Sequence, residues 1–248
     1  MKILICGVGG RMGREVAKFA LDGFRGAVPI AGMDLVPVDT REFRTYTDWN
    51  AVEETPDCII DFSHHSGTKA LLQYASKRRI PVVLATTGHD EAELELITQA
   101  TKLIPVFHSA NMSLGIALLV ELAKTAAKAF PDADIEIVEK HHNRKLDAPS
   151  GTALLLANAI KEVRKDAELV CGRSGQAKRQ PQEIGIHAIR MGNIIGEHEV
   201  IVGTDTQTIT LKHEAHSRSL FAEGALVAAD YLVGKPAGLY DMKKMLED

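Results

Sequence analysis

The chain has 248 residues, 45% of them hydrophobic and 25% charged, with a formal net charge of −4, which suits one large or two modest domains with a buried core. The slight acidic excess argues against a general nucleic-acid or membrane-surface role, because both favour a basic field. No apolar run approaches the ~20 residues that span a bilayer. The chain does not begin with a signal-peptide pattern, and the spacing of Cys6, Cys58 and Cys171 fits neither a metal site nor a disulfide. We therefore expect a reduced, cytoplasmic protein.

The first ~110 residues alternate short Ile- and Val-rich runs with amphipathic helical stretches, which is typical of repeated βαβ units. Strands are predicted at 2–7, 28–33, 58–63, 80–86 and 104–109, and helices at 14–21, 68–78 and 91–102. The last of these helices follows Asp90, and Glu93 three residues later completes a capping-box spacing. Because the strands are almost continuously apolar, the pattern predicts a Rossmann-like, doubly wound parallel sheet with helices on both faces.

The pattern changes after residue 112, where we place a boundary between two domains. A long helix is predicted over 114–130, ended by Pro131, and a last helix over 219–234 before a short tail. Between them, polar and apolar residues alternate as in half-exposed strands, at 134–140, 183–190, 198–203 and 207–215. Few helical stretches separate the last three strands, so we expect them to be antiparallel. The polar stretch 171–183 is predicted to be a mobile loop. The second domain is therefore predicted to be α+β, with a mixed, mostly antiparallel sheet.

A glycine-rich segment, GVGGRMG, joins the first strand to the first helix. Glycines permit a tight turn there and let backbone N–H groups approach a phosphate at a helix N-terminus. The spacing is Gly7-x-x-Gly10-x-x-Gly13, whereas the usual dinucleotide fingerprint has its third glycine where this chain has Met12. The alternative is a simple turn between strand and helix, but such a turn needs only one glycine, so we favour dinucleotide binding.

Asp34 follows the second strand, about twenty residues beyond the glycine turn, as expected for a carboxylate that binds ribose hydroxyls. The next residue, Leu35, offers no positive charge to a 2′-phosphate, so this position favours NADH over NADPH. The alternative is that Asp34 only ends a strand. Two further strand ends, at 85–88 and 109–113, are small and polar, and ligands of doubly wound sheets bind at such ends.

Residues 141–152, HHNRKLDAPSGT, combine two histidines, a lysine and a predicted helix start. Ser150 is a favoured N-cap residue, and the free N–H groups of a helix N-terminus bind anions such as carboxylates. Lys145 adds a positive charge, and His141 and His142 exchange protons near neutral pH. Together these residues predict a pocket for a small dianion with proton transfer available. We expect no metal site, because the chain has neither an HExxH motif nor a cysteine cluster.

With these motifs the chain resembles the dihydrodipicolinate reductase family. The family signature E-x-H-H-x-x-K-x-D-A-P-S-G-T-A matches residues 139–153 at every fixed position. Shorter matches extend the resemblance over nearly the whole chain, at 7–13, 60–63, 86–88, 110–113 and 196–198. The resemblance implies a reductase that converts 4-hydroxy-tetrahydrodipicolinate to tetrahydrodipicolinate with NAD(P)H, in lysine biosynthesis through diaminopimelate.

The resemblance also implies roles for individual residues. His141 would be a proton donor or acceptor and Lys145 a proton donor. The substrate would be held by His142, Ser150, Gly151 and Thr152. The cofactor, NADH with NADPH as a second acceptable cofactor, would be bound by Gly7, Val8, Gly9, Gly10, Arg11, Met12, Asp34, Ala85, Thr86, Thr87, Ser109, Ala110, Asn111 and Met112.

Three departures from the family pattern bear on cofactor preference: Leu35 replaces an arginine, Ala85 a glycine and Met112 a phenylalanine. The resemblance further implies a homotetramer built through the second domain's sheet. It divides the chain into a dinucleotide-binding domain, 1–112 with 219–248 returning to it, and a substrate-binding and oligomerisation domain, 113–218. Two alternatives stay open: a reductase of another imine or amino acid, and a redox-sensing dinucleotide-binding module without catalysis.

Overall fold

The computed structural model describes residues 1–248, which form two compact units. The first unit comprises Met1–Ser113 and Ser219–Asp248, and the second comprises Leu114–Arg218. None of the helices combines the length and the hydropathy needed to cross a membrane.

The first unit is built on a seven-stranded sheet in which every pairing is parallel. In chain order its strands are β1 Lys2–Cys6, β2 Val28–Met33, β3 Arg44–Tyr46, β4 Cys58–Asp61, β5 Val82–Leu84, β6 Pro105–His108 and, from the end of the chain, β12 Gly238–Tyr240. Their order across the sheet is β12-β6-β5-β4-β1-β2-β3. The predicted doubly wound parallel sheet is confirmed. Because the strands are parallel, the carboxyl ends of all seven lie along one edge.

The helices of this unit are α1 Arg11–Leu21, α2 Thr68–Arg78, α3 Glu91–Ala100, α6 Ser219–Leu232 and α7 Met242–Glu247. Four of the five, α7 excepted, begin and end close to their predicted bounds. The capping box of α3 is confirmed: the Asp90 carboxylate accepts the Glu93 N–H at 2.8 Å, and the Glu93 carboxylate accepts the Asp90 N–H at 2.9 Å. Central strand residues are fully buried, as an apolar run covered on both faces requires, among them Ile3, Leu4, Ile5, Ile59 and Ile60.

Apart from three short 3₁₀ helices, two strands and one helix of this unit were not predicted from the sequence, namely β3, β12 and α7. The two strands have three residues each and lie at the two edges of the sheet, where a short segment shows no hydrophobic period. The predicted short tail is therefore partly ordered, because β12 pairs with β6 through the register Gly238↔Pro105 and Asp241 then caps α7.

The second unit packs two helices against a five-stranded sheet. In chain order it contains α4 Leu114–Ala129, β7 Asp134–His141, α5 Gly151–Val163, β8 Glu168–Cys171, β9 Glu183–Arg190, β10 Gly196–Gly203 and β11 Thr208–Ala215. As predicted, α4 ends just before Pro131. Its core joins apolar residues of both helices to those of the sheet, including Ile116, Leu119, Ile135, Ile137, Leu156, Ile160 and Val200.

The strand order of this sheet is β11-β10-β7-β9-β8, and the sheet is mixed as predicted. β10 is antiparallel to β11 and to β7, whereas β9 is parallel to β7 and to β8. The strands at 183–190, 198–203 and 207–215 alternate in direction as expected, but β9 pairs with the parallel strands β7 and β8 and not with β10. Antiparallel pairing, expected to predominate, therefore accounts for two of the four pairings. Two crossovers explain the parallel pairings: α5 returns the chain from β7 to the unpredicted β8, and residues 172–182 return it from β8 to β9, so all three strands run in the same direction.

Candidate functional site

The turn between β1 and α1 in the first unit needs glycines for two reasons: its backbone packs closely against neighbouring backbone, and the first N–H groups of α1 must be accessible to a ligand. Gly7 has a φ of +72°, and a Cβ atom added to it would lie 2.7 Å from the carbonyl oxygen of Phe62. A Cβ atom on Gly13 would lie 2.1 Å from the carbonyl oxygen of Gly7. Gly10 precedes α1 without a side-chain cap, so no side chain of the N-cap covers the first N–H groups of this helix. That arrangement leaves donors for an anion.

Asp34 joins the end of β2 to this turn. Its Oδ2 atom accepts the N–H of Gly9 at 2.9 Å, and its Oδ1 atom accepts the N–H of Leu35 at 2.8 Å. The Leu35 side chain is 85% exposed. A cavity of about 920 Å³ runs past these groups and is lined by Gly7, Gly9, Gly10, Arg14, Asp34, Leu35, Ser63, His64 and Ser66, with further residues of the unit.

These features fit a dinucleotide. The glycines keep side chains out of the space in front of α1, and the fixed Asp34 carboxylate has lone pairs left for ribose hydroxyls. Of the residues predicted around the turn, Val8 is buried, Met12 is half-buried and Arg11 is exposed. Arg44 on β3 is paired with Glu53 at 2.7 Å, so it is less available to a 2′-phosphate than an unpaired arginine would be.

Two more predicted segments end strands at this same edge of the sheet. After β5, Ala85 and Thr86 are buried and Thr87 is exposed. After β6, the hydroxyl of Ser109 donates to the carbonyl of Asn111 at 2.8 Å, Ala110 is exposed and Met112 is buried. The carbonyl of Met112 is approached by α6, since a Cβ atom on Gly224 would lie 1.8 Å from it.

A buried carboxylate that sequence reasoning did not single out supports these loops. Asp61, at the end of β4, is 0% exposed and accepts hydrogen bonds from the Thr86 hydroxyl at 2.7 Å and the Ser63 N–H at 3.0 Å. Burial raises the pKa of Asp61, against the opposing effect of these donors. The available signal was a charged residue at the end of an otherwise apolar strand.

In the second unit, β7 brings Glu139 and His141 to its carboxyl end. The Glu139 side chain is fully buried and accepts from three different elements. The Nδ1 atom of His141 lies 2.6 Å from Oε2. Arg190, at the end of β9, donates to Oε2 at 2.8 Å and to Oε1 at 2.6 Å. The backbone N–H of Ser150 donates to Oε1 at 2.9 Å.

Ser150 begins α5 as the sequence predicts. Its Oγ atom accepts the N–H of Ala153 at 3.2 Å and lies 3.2 Å from Nε2 of His198 on β10. Gly151 is exposed and Thr152 is half-buried at the start of this helix. The N-terminal end of α5 therefore presents backbone donors beside His141, as an anion site requires.

Lys145 and His142 lie in the loop between β7 and α5. The Nζ atom of Lys145 is 2.8 Å from Oδ1 of Asp147. The His142 N–H donates to the carbonyl of Ile194, and its Nε2 atom is 3.4 Å from a guanidinium nitrogen of Arg218. Leu146, between Lys145 and Asp147 in the chain, is 99% exposed.

The protonation states of this cluster follow from burial and partners. Burial acts to raise the pKa of Glu139, but the hydrogen bonds from Arg190, His141 and Ser150 outweigh it and the pKa is lowered. Burial lowers the pKa of His141, although Glu139 opposes the shift. Burial, reinforced by the positive charge of a protonated His141, lowers the pKa of His198 to about 4. At neutral pH the carboxylate is therefore ionised and both imidazoles are neutral.

Sequence reasoning named His141, His142, Lys145 and 150–152, and the structure brings His141 next to the start of α5. It did not assign roles to the residues that hold them, which are Glu139, Arg190, His198 and Arg218. Only Glu139 could have been found from the motif; Arg190 and His198 come from β9 and β10, and Arg218 from the turn before α6. No group of three or more His, Cys, Asp or Glu side chains is arranged to hold a metal ion.

Comparisons with known proteins identify the family of the chain. The family model described as Dihydrodipicolinate reductase, N-terminus, matches residues 1–112, and the one described as Dihydrodipicolinate reductase, C-terminus, matches residues 115–246. A 4-hydroxy-tetrahydrodipicolinate reductase of Caldanaerobacter subterraneus subsp. tengcongensis is 48% identical, covering 100% of this chain and 98% of its own. The protein of the same name from Clostridium tetani is 44% identical, covering 99% and 97%.

A solved structure shares the fold. The dipicolinate-bound dihydrodipicolinate reductase from Paenisporosarcina sp. TG-14 superposes with a TM-score of 0.82 at 24% identity, covering 97% of each chain. The two family models together account for most of the chain, and the relatives match it from end to end. The chain belongs to the dihydrodipicolinate reductase family.

Proposed function

We propose that this protein reduces 4-hydroxy-tetrahydrodipicolinate to tetrahydrodipicolinate with a reduced nicotinamide cofactor. The observation that carries the proposal is the cluster at the start of α5, where backbone donors, a neutral imidazole and an ammonium lie together. A cyclic dicarboxylate with a C=N bond needs these three groups: donors for a carboxylate, and polar groups for the charge and proton of the ring. The names of the full-length relatives support the same reaction.

The first unit would bind the cofactor. We assign the pyrophosphate to the backbone around Gly9 and Gly10 and the adenine ribose to Asp34. The nicotinamide half would contact 85–87 and 109–112, because these segments end strands at the same edge of the sheet. We propose that NADH is preferred, since Leu35 brings no cation to a 2′-phosphate and Asp34 would repel it.

The second unit would bind the substrate. One carboxylate would accept N–H groups of Gly151 and Thr152 at the start of α5, with His142 contributing a further polar contact. Support comes from the Paenisporosarcina relative, which is described as bound to dipicolinate, a planar pyridine dicarboxylate. Dipicolinate has the ring and the two carboxylates of the proposed substrate.

The reaction follows from these charges. The cofactor supplies a hydride to the ring carbon at the far end of the conjugated system, after water has left the hydroxylated ring. Electron density would then move toward the ring nitrogen, where the Lys145 ammonium stabilises it, and His141 takes part in the proton exchange. A proton completes the product. Positioned general acids of this kind typically contribute about 10²- to 10⁴-fold to the rate.

The reaction is tested by following the near-ultraviolet absorbance of NADH after the substrate is formed in situ from pyruvate and aspartate semialdehyde by a separate synthase. Rapid oxidation that requires both the synthase and this protein is the expected result. A second cuvette contains a cyclic imine with one carboxylate. Faster turnover of that imine would indicate a different imine reductase, and no turnover of either would indicate a non-catalytic dinucleotide-binding module.

We also propose a homotetramer and a cytoplasmic location, on the basis of the family resemblance and of the cofactor, which is regenerated there. Light scattering of the purified protein tests the first, and a mass of one or two chains would contradict it.

A further inference from the structure

Glu139 has an arrangement that the proposed reaction does not by itself require. It is a fully buried carboxylate whose two oxygens accept from His141, Ser150 and Arg190. Burying an isolated carboxylate is costly, and the cost is offset only when its lone pairs are filled by good donors. Here the donors come from the end of β7, the start of α5 and the end of β9. One side chain therefore joins the imidazole to the anion-binding end of the helix.

The ionised state of Glu139 fixes the tautomer of its neighbour. An ionised carboxylate only accepts hydrogen bonds, so the Nδ1 atom of His141, at 2.6 Å, must carry the proton of that bond. In a neutral imidazole the other nitrogen then bears a lone pair. Nε2 of His141 lies beside Gly196, where an added Cβ atom would be 3.2 Å away, so a side chain at that position would crowd it.

We infer that Glu139 is a positioning residue, which holds His141 in the Nδ1–H tautomer and fixes the backbone of Ser150 at the carboxylate-binding helix start. This inference rests on the proposed function. It divides the roles that the sequence left open: neutral His141 presents an acceptor at Nε2, and Lys145 supplies the proton, which it regains from solvent. Arg190 keeps Glu139 ionised and in place.

The groups that face His141 come from each neighbouring element. They are Glu139 on β7, Arg190 on β9, His198 on β10 and Lys145 in the connecting loop. Burial lowers the pKa of His141, the negative charge of Glu139 raises it, and the positive charges of Lys145 and Arg190 lower it. Removing the charge of Glu139 should therefore lower the pKa of His141 further.

The test compares Glu139→Gln with Glu136→Gln. Glu136 is a matched control because it lies on the same strand and also contacts a histidine and an arginine, His187 at 2.8 Å and Arg179 at 3.2 Å. Glu139→Gln should lower kcat about 10²-fold, the scale seen when the partner that orients a functional histidine is lost. It should also raise the KM for substrate and leave NADH affinity unchanged. Glu136→Gln should stay within about 2-fold of wild type in all three.

The pH profile separates positioning from a merely structural role. If neutral His141 is required, kcat/KM falls on the acid side, and the acid limb should move to lower pH in Glu139→Gln because its His141 has lost a neighbouring negative charge. A variant that is only less well folded would have a lower kcat/KM at every pH, but its kcat/KM would fall over the same acid pH range as in wild type. An unchanged limb with wild-type kcat would overturn the inference.

A measurement on the wild type keeps the inference testable if Glu139→Gln does not fold. Nitrogen-15 spectra of histidine-labelled protein, with the His141 signals identified by their loss in His141→Asn, should show a proton on Nδ1 and none on Nε2 at neutral pH. The Nε2–H tautomer would refute the inference. This result does not depend on substrate, so an inactive wild type would count against the proposed function and leave the tautomer to be decided on its own.

Discussion

The Oδ2 atom of Asp34 accepts the backbone N–H of Gly9 at 2.9 Å, so the residue proposed to bind ribose also holds the glycine turn in place. The two roles are linked because the carboxylate is fixed before a cofactor arrives, which lowers the entropy cost of binding. The same bond places a negative charge next to the turn, where a 2′-phosphate would have to lie.

Cofactor preference is the first prediction. Wild type should have a higher kcat/KM with NADH than with NADPH. Leu35→Arg should change the ratio of these two values by about 10-fold in favour of NADPH, because a charge-assisted hydrogen bond to phosphate contributes about 1.5–3 kcal/mol. Leu35 is 85% exposed, so the arginine fits without disturbing the core. Steady-state kinetics with both cofactors measures the ratio.

Leu35→Ala is the matched control and should leave the ratio near wild type. A wild-type preference for NADPH would show that another cation, such as Arg11 or Arg14 near the turn, outweighs Asp34.

The second prediction concerns the proton-transfer residues. Lys145→Ala and His141→Ala should each lower kcat by about 10²- to 10⁴-fold, because each variant loses a group that takes part in proton transfer. NADH binding, measured by fluorescence titration, should stay near wild type, since both residues belong to the second unit. Lys161→Ala, at the far end of α5, and His187→Ala are the controls. If either site variant kept wild-type kcat, its assigned role would be wrong.

The third prediction is that dipicolinate competes with substrate and stabilises the protein. At 100 times its Kd a ligand that binds only the folded state adds about 2.7 kcal/mol to the free energy of unfolding, which a thermal-shift assay detects. Gly151→Pro should reduce the shift if the start of α5 binds a carboxylate, because proline removes one backbone N–H at a first helical position that tolerates it. Non-competitive inhibition would place dipicolinate elsewhere.

Much of the fold could be predicted from the sequence, because the spacing of apolar residues and the capping residues of helices are signals contained within each element. The apolar runs of β1 and β4 and the Asp90 cap of α3 each carry their own signal. The strand order of the second unit carries no such local signal, because the parallel pairings of β9 depend on how α5 and residues 172–182 return the chain to the sheet. No local residue pattern records that path.

The candidate site likewise has a part that could be predicted from the sequence and a part that could not. The motif around His141 and Lys145 is contiguous, so it could be recognised as a unit. Arg190 and His198 approach it from β9 and β10, and sequence spacing alone cannot show that they converge on Glu139 and Ser150. The role of Asp61 could not be predicted for another reason: a single acidic residue at the end of a strand is common, and only the structure shows that this one is buried.

The fourth prediction uses a close contact that the sequence did not suggest. A Cβ atom on Gly224 of α6 would lie 1.8 Å from the carbonyl oxygen of Met112, so Gly224→Ala must displace the helix or the 109–112 segment. We expect a lower Tm and weaker NADH binding. Gly203→Ala is the control, because its nearest neighbour would be 3.9 Å away. Equal Tm values for the two variants would contradict the contact.

The fifth prediction concerns acid stability and His198. This histidine is 4% exposed, and its pKa is lowered to about 4 by burial and by the positive charge of a protonated His141. In the unfolded chain a histidine has a pKa of about 6.5, so between about pH 6.5 and 4 the unfolded state binds a proton that the folded state does not. The free energy of unfolding therefore falls as the pH falls through this window, by roughly 3 kcal/mol from this residue.

His198→Gln should remove that contribution, because glutamine does not titrate and its amide still reaches the Ser150 hydroxyl. Urea unfolding at about pH 7 and pH 4.5 measures it: the variant should lose less stability on acidification than wild type. Other histidines whose pKa is lowered, such as His108, contribute the same slope to both proteins and cancel in the comparison. The exposed His216→Gln is the control and should follow wild type. Parallel pH dependence in wild type and His198→Gln would mean that His198 is already protonated in the folded state at acid pH.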